Sequence, residues 1–368
     1  MKIVLTGGCT GGHIYPALAI GNKFKKENAE NEIVYIGYQF GMENSIVPAA
    51  GYDLKIVTAD WLRRDNPIRM IKTVLNTQKG KREAVKILKE FSPDLVVSTG
   101  SFVSVPVVMA AHSLGIPIYM HEQNGYPGVS NRMFAKWAKT VFLGFEGARE
   151  YFKVDNSKLV YSGNPVRDDF VGRNKSADRK ELCIPEKDTV ITVFGGSLGS
   201  ETTNDIGEAL IKEYGNKAGF VIIFGTGKEY YNDVLGVLKD KGLDKFENVK
   251  LMPYIKDMPM VMSASDLVIS RAGALSVAEV TMAGKAAIFI PSPNVTADHQ
   301  YYNAKSVADG GGALIVREDE KTPDEVLKVV RKIAADSANL KKMGELCSKC
   351  APKDAANIIY KNIMETYK

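Results

Sequence analysis

The chain has little cysteine: four residues in 368, too few for a disulfide framework. Cys347 and Cys350 form its lone CxxC. No second CxxC and no nearby His accompany them, so the pair reads as two thiols one turn apart on a helix, and no metal site is expected. Long hydrophobic runs are lacking too. The longest, residues 102–111, is about half the ~20 residues that a membrane-spanning helix needs. Residues 1–7 meet glycine before the apolar core of a signal peptide could form, so the expected compartment is the cytoplasm. There is no low-complexity tract and no short repeat. No pair of close carboxylates suggests a glycosidase.

What is present is an ordinary globular composition, 45% hydrophobic and 25% charged. The length suits two domains of roughly 150–200 residues. The net charge of +5 is unevenly placed. Residues 61–89 carry nine Lys/Arg against Asp65 and Glu83, a net +7, so the remainder sums to −2. Nucleic acid and anionic membrane are the usual partners of such a segment.

Apolar runs at 3–5, 33–37, 54–58, 95–99, 116–121, 141–145 and 159–163 alternate with helical spacing. After Asp188 the pattern restarts, with runs at 190–194, 220–224, 249–252, 267–270, 286–290 and 313–316. Buried parallel strands alternating with helices predict an α/β fold of two Rossmann-like, doubly wound domains facing across a cleft. The expected boundaries are 1–164, 165–345, and a helical tail 346–368 that packs back on the first domain.

Function is sought in the loops after the strands, where such sheets bind ligands. Loop 6–13 (TGGCTGGH) fits neither a dinucleotide fingerprint nor a Walker A loop. Its glycines let a backbone approach a charged ligand. His13 stands at a helix start, where the dipole disfavours its protonation and leaves a neutral base. It reads equally as a helix-capping residue. Loop 98–106 (STGSFVSVP) again places small residues before a helix, and loop 121–125 (HEQNG) has the donor and acceptor density of a sugar site. Loop 195–199 (GGSLG) mirrors the first loop. In 270–279 (SRAGALSVAE), free amides at the helix start suit a pyrophosphate, and Glu279, one turn in, suits a ribose diol. In 296–304 (TADHQYYNA), polar residues suit sugar hydroxyls, and Asp298 equally suits an N-cap. No DxD pair stands beside a strand end, so helix amides would stabilise a leaving diphosphate. No cofactor is expected.

Taken together, GGCTGGHIYPALAI, GSFVSVP, GIPIYMHEQN, GNPVR, FGGSLG, SRAGALSVAE and DHQYYNAK closely resemble the MurG family of GT-B glycosyltransferases. They stand in the family's order from residue 6 to about 310. The resemblance implies inverting transfer of GlcNAc from UDP-GlcNAc to the MurNAc C4 hydroxyl of lipid I, making lipid II for peptidoglycan. It implies that the backbone at Ile255 reads uracil and that Glu279 takes the ribose hydroxyls. Ser197 and the amides of Ala274, Leu275, Ser276, Val277 and Ala278 would hold the diphosphate, and Gln300 and Asn303 the GlcNAc. Asn124 and Arg167 match donor-contacting positions. Thr10, Gly11 and Gly12 would stand at the cleft among the donor contacts, in a half whose loops hold lipid I. His13 is the candidate base, with Glu122 second, as base or as partner to His13.

The basic segment then fits an anionic inner-leaflet surface, with no nucleic acid partner. A helix near 67–91 would present Ile68, Ile71, Leu75, Val85 and Leu88 among cations, peripheral on the cytoplasmic face of the cell membrane and interrupted at Gly80. The sequence departs from the family's GGGTGGH at Cys9. It departs from GGYVSGP at Ser101, Phe102 and Val105, which narrows the expected pyrophosphate space and removes a Tyr hydroxyl. The donor half keeps closer to pattern. The alternatives are a related GT-B transferase with another lipid or glycan acceptor, a catalytically impaired membrane-associated homologue, and a UDP-GlcNAc 2-epimerase, which would not need the basic segment.

Overall fold

A computed structural model describes residues 1–61, 67–196 and 198–367, with 67 and 68 described through their backbone alone. The chain forms two compact units, 1–166 with 352–368, and 167–351.

The first unit runs β1 (Lys2–Thr6), α1 (Gly11–Glu27), β2 (Glu32–Tyr38), α2 (Glu43–Ala49), β3 (Asp53–Val57) and α3 (Pro67–Phe91). It continues with β4 (Leu95–Ser98), α4 (Ser101–Ser113), β5 (Ile118–Glu122), α5 (Val129–Phe134), β6 (Thr140–Leu143) and β7 (Leu159–Tyr161). The second runs α6 (Lys175–Glu181), β8 (Thr189–Phe194), α7 (Glu201–Tyr214), β9 (Phe220–Gly225), α8 (Tyr231–Asp240), β10 (Val249–Met252) and α9 (Met258–Ala264). There follow β11 (Leu267–Ser270), α10 (Ala274–Ala283), β12 (Ala286–Phe289), α11 (His299–Ala308), β13 (Ala313–Ile315), α12 (Thr322–Ile333) and α13 (Ser337–Ser348). The last helix, α14 (Ala355–Thr366), belongs to the first unit.

Each apolar run of the sequence becomes a strand. The sheets are parallel, in the orders β3-β2-β1-β4-β5-β6-β7 and β10-β9-β8-β11-β12-β13. Their central strands are buried at every residue, as in β4 (LVVS) and β11 (LVIS), because helices cover both faces. α13 crosses the 345/346 boundary expected from sequence and packs on β12 and α10. The chain returns to the first unit at Pro352. There Ile359 and Ile363 are fully buried in the core, and Tyr360 meets Phe24 edge-on at 5.0 Å.

α3 runs unbroken through Gly80, contrary to the interruption expected there. The glycine is a contact point: a Cβ at this position would lie 1.8 Å from the Thr58 carbonyl oxygen. The helix has two surfaces. In its C-terminal half Ala84 and Leu88 are buried in the core, with Val85 packed against them. In its N-terminal half Met70, Ile71, Val74 and Leu75 are exposed. Val85 and Leu88 therefore leave the expected docking stripe, and the side chain of Ile68 lies outside those described.

Candidate functional site

The strand order reverses direction between β1 and β4 in one sheet and between β8 and β11 in the other. Doubly wound sheets bind ligands at these switch points. The helices that follow the four strands, α1, α4, α7 and α10, start without a side-chain cap. A missing cap is not confined to them: α2, α5, α8, α11, α12 and α14 also lack one, while α6, α9 and α13 are capped by Asn174, Asp257 and Asp336, so it is position at the switch point that singles these four out. Uncapped amides at a switch point are donors held for an anion.

In the second unit, α10 shows this most clearly. Gly273 is its N-cap, its first turn holds no acid, and its first backbone bond is Val277 N–H to Gly273 O at 3.0 Å. The amides of Ala274, Leu275 and Ser276 precede that bond. Val277 and Ala278 are buried behind them. Glu279 is partly exposed. Burial pushes its carboxyl up to about 7; the Arg167 charge opposes the shift and Asp169 adds to it. Arg167 lies 3.7 Å from Asp169.

The loop after β8 packs tightly: at Gly199 (φ +83) a Cβ would stand 2.3 Å from the Thr226 carbonyl oxygen. Ser197 lies outside the described residues. Ile255 is buried after β10, its side chain against Gly225. Gln300 Oε1 accepts from Ser292 N–H at 3.0 Å, which leaves its NH₂ to donate. Asn303 is fully buried and donates to the Ala272 carbonyl at 3.0 Å. It therefore braces the loop before α10.

Arg271 carries more than its sequence position suggested. Its guanidinium donates to Ser200 Oγ at 3.0 Å, Thr202 Oγ1 at 3.2 Å and the Ile290 carbonyl at 3.3 Å, and pairs with Glu318. One side chain thus joins the loops after β8, β11, β12 and β13. Truncating one member of such a mostly buried pair costs roughly 3–5 kcal/mol. Arg271→Ala should show that loss in urea unfolding, together with weakened nucleotide binding by calorimetry.

In the first unit, α1 opens at Gly11, with Thr10 as N-cap and Gly12 exposed. Thr10 Oγ1 lies 3.4 Å from His13 Nδ1. The glycine loop is held from behind. Tyr35 O–H donates to the Gly7 carbonyl at 2.8 Å, and Thr99 O–H to the His13 carbonyl at 2.7 Å. Buried Glu43 accepts from Cys9 N–H and Tyr38 N–H, both at 2.9 Å. None of the three supports carries a local motif; the sheet order brings them there.

Loop 121–125 differs from its expected open sugar surface. His121, Glu122 and Gln123 are buried, and Asn124 is only half-buried. Gln123 Nε2 donates to His121 Nδ1 at 2.9 Å, so the His121 proton sits on Nε2, facing the Gly163 carbonyl at 3.1 Å. Burial pushes that imidazole down to about 4, and it stays neutral. Glu122 Oε1 accepts from Asn124 N–H at 2.9 Å. Its Oε2 accepts from Gly128 N–H at 2.9 Å and Asn131 Nδ2 at 3.0 Å. Burial raises its pKa and these bonds oppose the rise. A carboxylate so engaged organises the 123–131 loop.

Comparison with known proteins settles the family. Residues 3–143 match the glycosyltransferase family 28 N-terminal domain and residues 190–358 the C-terminal domain of the same family. The chain is 39% identical to the UDP-N-acetylglucosamine–N-acetylmuramyl-(pentapeptide) pyrophosphoryl-undecaprenol N-acetylglucosamine transferase of Clostridioides difficile, over 100% of this chain and 89% of that protein. It is 36% identical to the protein of the same name from Acetivibrio thermocellus, over 100% and 99%. The chain belongs to the MurG family of GT-B glycosyltransferases. The crystal structure of Acinetobacter baumannii MurG superposes with a TM-score of 0.78 at 26% identity, covering 99% of both chains. A UDP-GlcNAc 2-epimerase from Neisseria meningitidis shares the fold, with a TM-score of 0.70 at 15% identity over 99% of this chain and 100% of that one.

Two departures from the MurG pattern now have a structural meaning. Cys9 and Ser101 replace pattern glycines, yet both keep φ at +71, the region that favours glycine. Val105 lies inside α4 and packs against the core, so it takes no space from the loop. Restoring both glycines should relieve about 1–2 kcal/mol of backbone strain. A higher urea midpoint for the Cys9→Gly, Ser101→Gly double variant checks this. Cys9→Ala should give no gain, because alanine meets the same strain.

Proposed function

We propose that this protein transfers GlcNAc from UDP-GlcNAc to the MurNAc C4 hydroxyl of lipid I, with inversion, and so makes lipid II. The observation that carries the reading is α10: uncapped amides at the switch point, with Glu279 one turn inside. Its N-terminus takes the diphosphate and stabilises the charge that develops as UDP leaves. The Glu279 carboxylate accepts both ribose hydroxyls, the backbone at Ile255 reads uracil, and the Gln300 amide donates to GlcNAc. Arg167, Asn124, Thr10, Gly11 and Gly12 complete the donor contacts, with Ser197 in the phosphate loop.

His13 is the base. Thr10 Oγ1 accepts from Nδ1–H, and Nε2 is then left to take the C4 hydroxyl proton as that oxygen attacks the anomeric carbon. A positioned general base contributes ~10²–10⁴ in rate. His13→Ala should therefore lower kcat by about that factor with little change in donor KM, measured as UDP formation.

The exposed apolar residues of α3, with Trp61 beside them, form the membrane-docking surface. Thr73 ties the Trp61 carbonyl to the helix at 3.4 Å. Met70, Ile71, Val74 and Leu75 project at helical spacing among Arg69, Lys72 and Lys79, the arrangement of an interfacial helix on anionic lipid. Among the described residues no helix is long and apolar enough to cross a membrane. We read the association as peripheral, on the cytoplasmic face where the lipid-linked acceptor is presented.

A further inference from the structure

We propose that the second unit carries a separate anion site, on the sheet edge opposite the donor loops, built for a phosphate monoester. A cavity of about 850 Å³ opens there, lined by Lys175, Lys285, Lys341 and Lys349 with only Asp266 and Glu345 as carboxylates. Asp266 and Lys285 immediately precede β11 and β12, so the cavity sits at the amino ends of these strands. The donor loops leave their carboxyl ends. α10 spans the two places: it starts behind the donor loop and ends at the cavity wall in Ala283 and Gly284.

The charges around the cavity do not balance. Asp266 is already shared. It accepts from Arg179 Nη2 at 2.6 Å and from Val190 N–H at 2.8 Å, and it pairs with Lys175. Asp178 is taken by Arg173, 3.2 Å from its Nε. Lys285 donates to the Ser263 carbonyl at 2.7 Å. Among the described residues no carboxylate lies within ion-pair distance of its amine. Lys341 on α13 and Lys349, the residue that caps its end, stand four residues either side of Glu345, the one acid between them. Four lining lysines thus face two lining carboxylates, a surplus of two that a dianion offsets. Burial pushes the Lys285 amine down to about 8, the Lys175 charge adding to the effect and Asp266 opposing it. A half-buried cation whose nearby carboxylates, Asp266 and Asp178, are already paired elsewhere is costly, and an occupant phosphate offsets that cost. Ser337 and Ser348 also line the cavity and supply hydroxyl donors. The volume leaves room for an organic group beyond the phosphate.

The test reads Lys285 directly, with the donor site filled by saturating UDP. Trace acetylation by acetic anhydride at pH 8 is followed residue by residue by mass spectrometry, with the exposed Lys212 as internal control. Glycerol phosphate and inorganic phosphate are added in one arm, and phosphatidic acid vesicles, whose headgroup is a phosphate monoester, in another. A phosphate site predicts that one arm slows labelling at Lys285 about fivefold at millimolar phosphate while Lys212 is unchanged. The arm that protects identifies a soluble ester or a lipid headgroup as the source. The Lys341→Ala, Lys349→Ala variant changes only exposed positions and should lose most of that protection while keeping transferase turnover. Equal labelling at Lys285 with and without every phosphate source would overturn the proposal, as would full protection in the double variant.

Discussion

Replacing Glu279 with glutamine is expected to move stability and donor binding in opposite directions at pH 8. The folded state holds the Glu279 proton up to about pH 7, against an ordinary value of 4.5. Between those values the folded protein binds more protons than the unfolded chain, so this group makes stability fall as pH rises through the window. Above it the ionised carboxylate is a cost of about 3 kcal/mol to the free protein. Glutamine removes that cost, so Glu279→Gln should raise the urea midpoint at pH 8 and have little effect near pH 4.5. The same change takes the charged acceptor from the ribose diol. Hydrogen bonds to a charged group contribute about 1.5–3 kcal/mol, so UDP affinity should fall roughly 10- to 100-fold. Calorimetry across pH adds a second check: wild-type affinity should weaken below pH 7, while that of the variant stays flat. A variant that lost stability at pH 8 would show that Glu279 is a structural anchor.

The second large effect concerns α3. Ile71→Glu with Leu75→Glu places two carboxylates on exposed positions of the docking surface, 63% and 64% accessible. The core half of the helix, around Ala84 and Leu88, is untouched. Each exchange removes apolar insertion and adds repulsion from anionic lipid. Flotation with phosphatidylglycerol vesicles should fall at least about tenfold, with the melting temperature and soluble-acceptor turnover unchanged. Retained flotation would assign membrane contact to another surface.

The strands were legible from sequence because buried parallel strands are written as short apolar runs, and each of those runs forms a strand. The α10 loop was legible for a related reason: a strand end, a glycine and a helix start are contiguous. What sequence could not show was direction. In His121-Glu122-Gln123-Asn124 a polar run at a strand end looked like a ligand surface, yet three of the four turn inward, Gln123 bonding His121 and Glu122 bonding the 124–131 loop. Gly80 looked like a helix breaker and is instead where α3 meets the Thr58 carbonyl. Glu43, Thr99 and Arg271 support their loops across 30 to 90 residues of chain, and that distance closes only once strand order is known. α3 read as one amphipathic stripe because periodicity does not say which half of a long helix meets a core.

The central claim is that an acceptor-dependent transferase works at these loops. The most direct measurement is UDP release from UDP-GlcNAc by the purified protein, with and without a short-chain lipid I analogue. The account predicts release only when the analogue is present, and loss of most of that release in His13→Ala. Saturable UDP-GlcNAc binding without release in the presence of the analogue would contradict it, leaving the donor site but assigning the protein another acceptor.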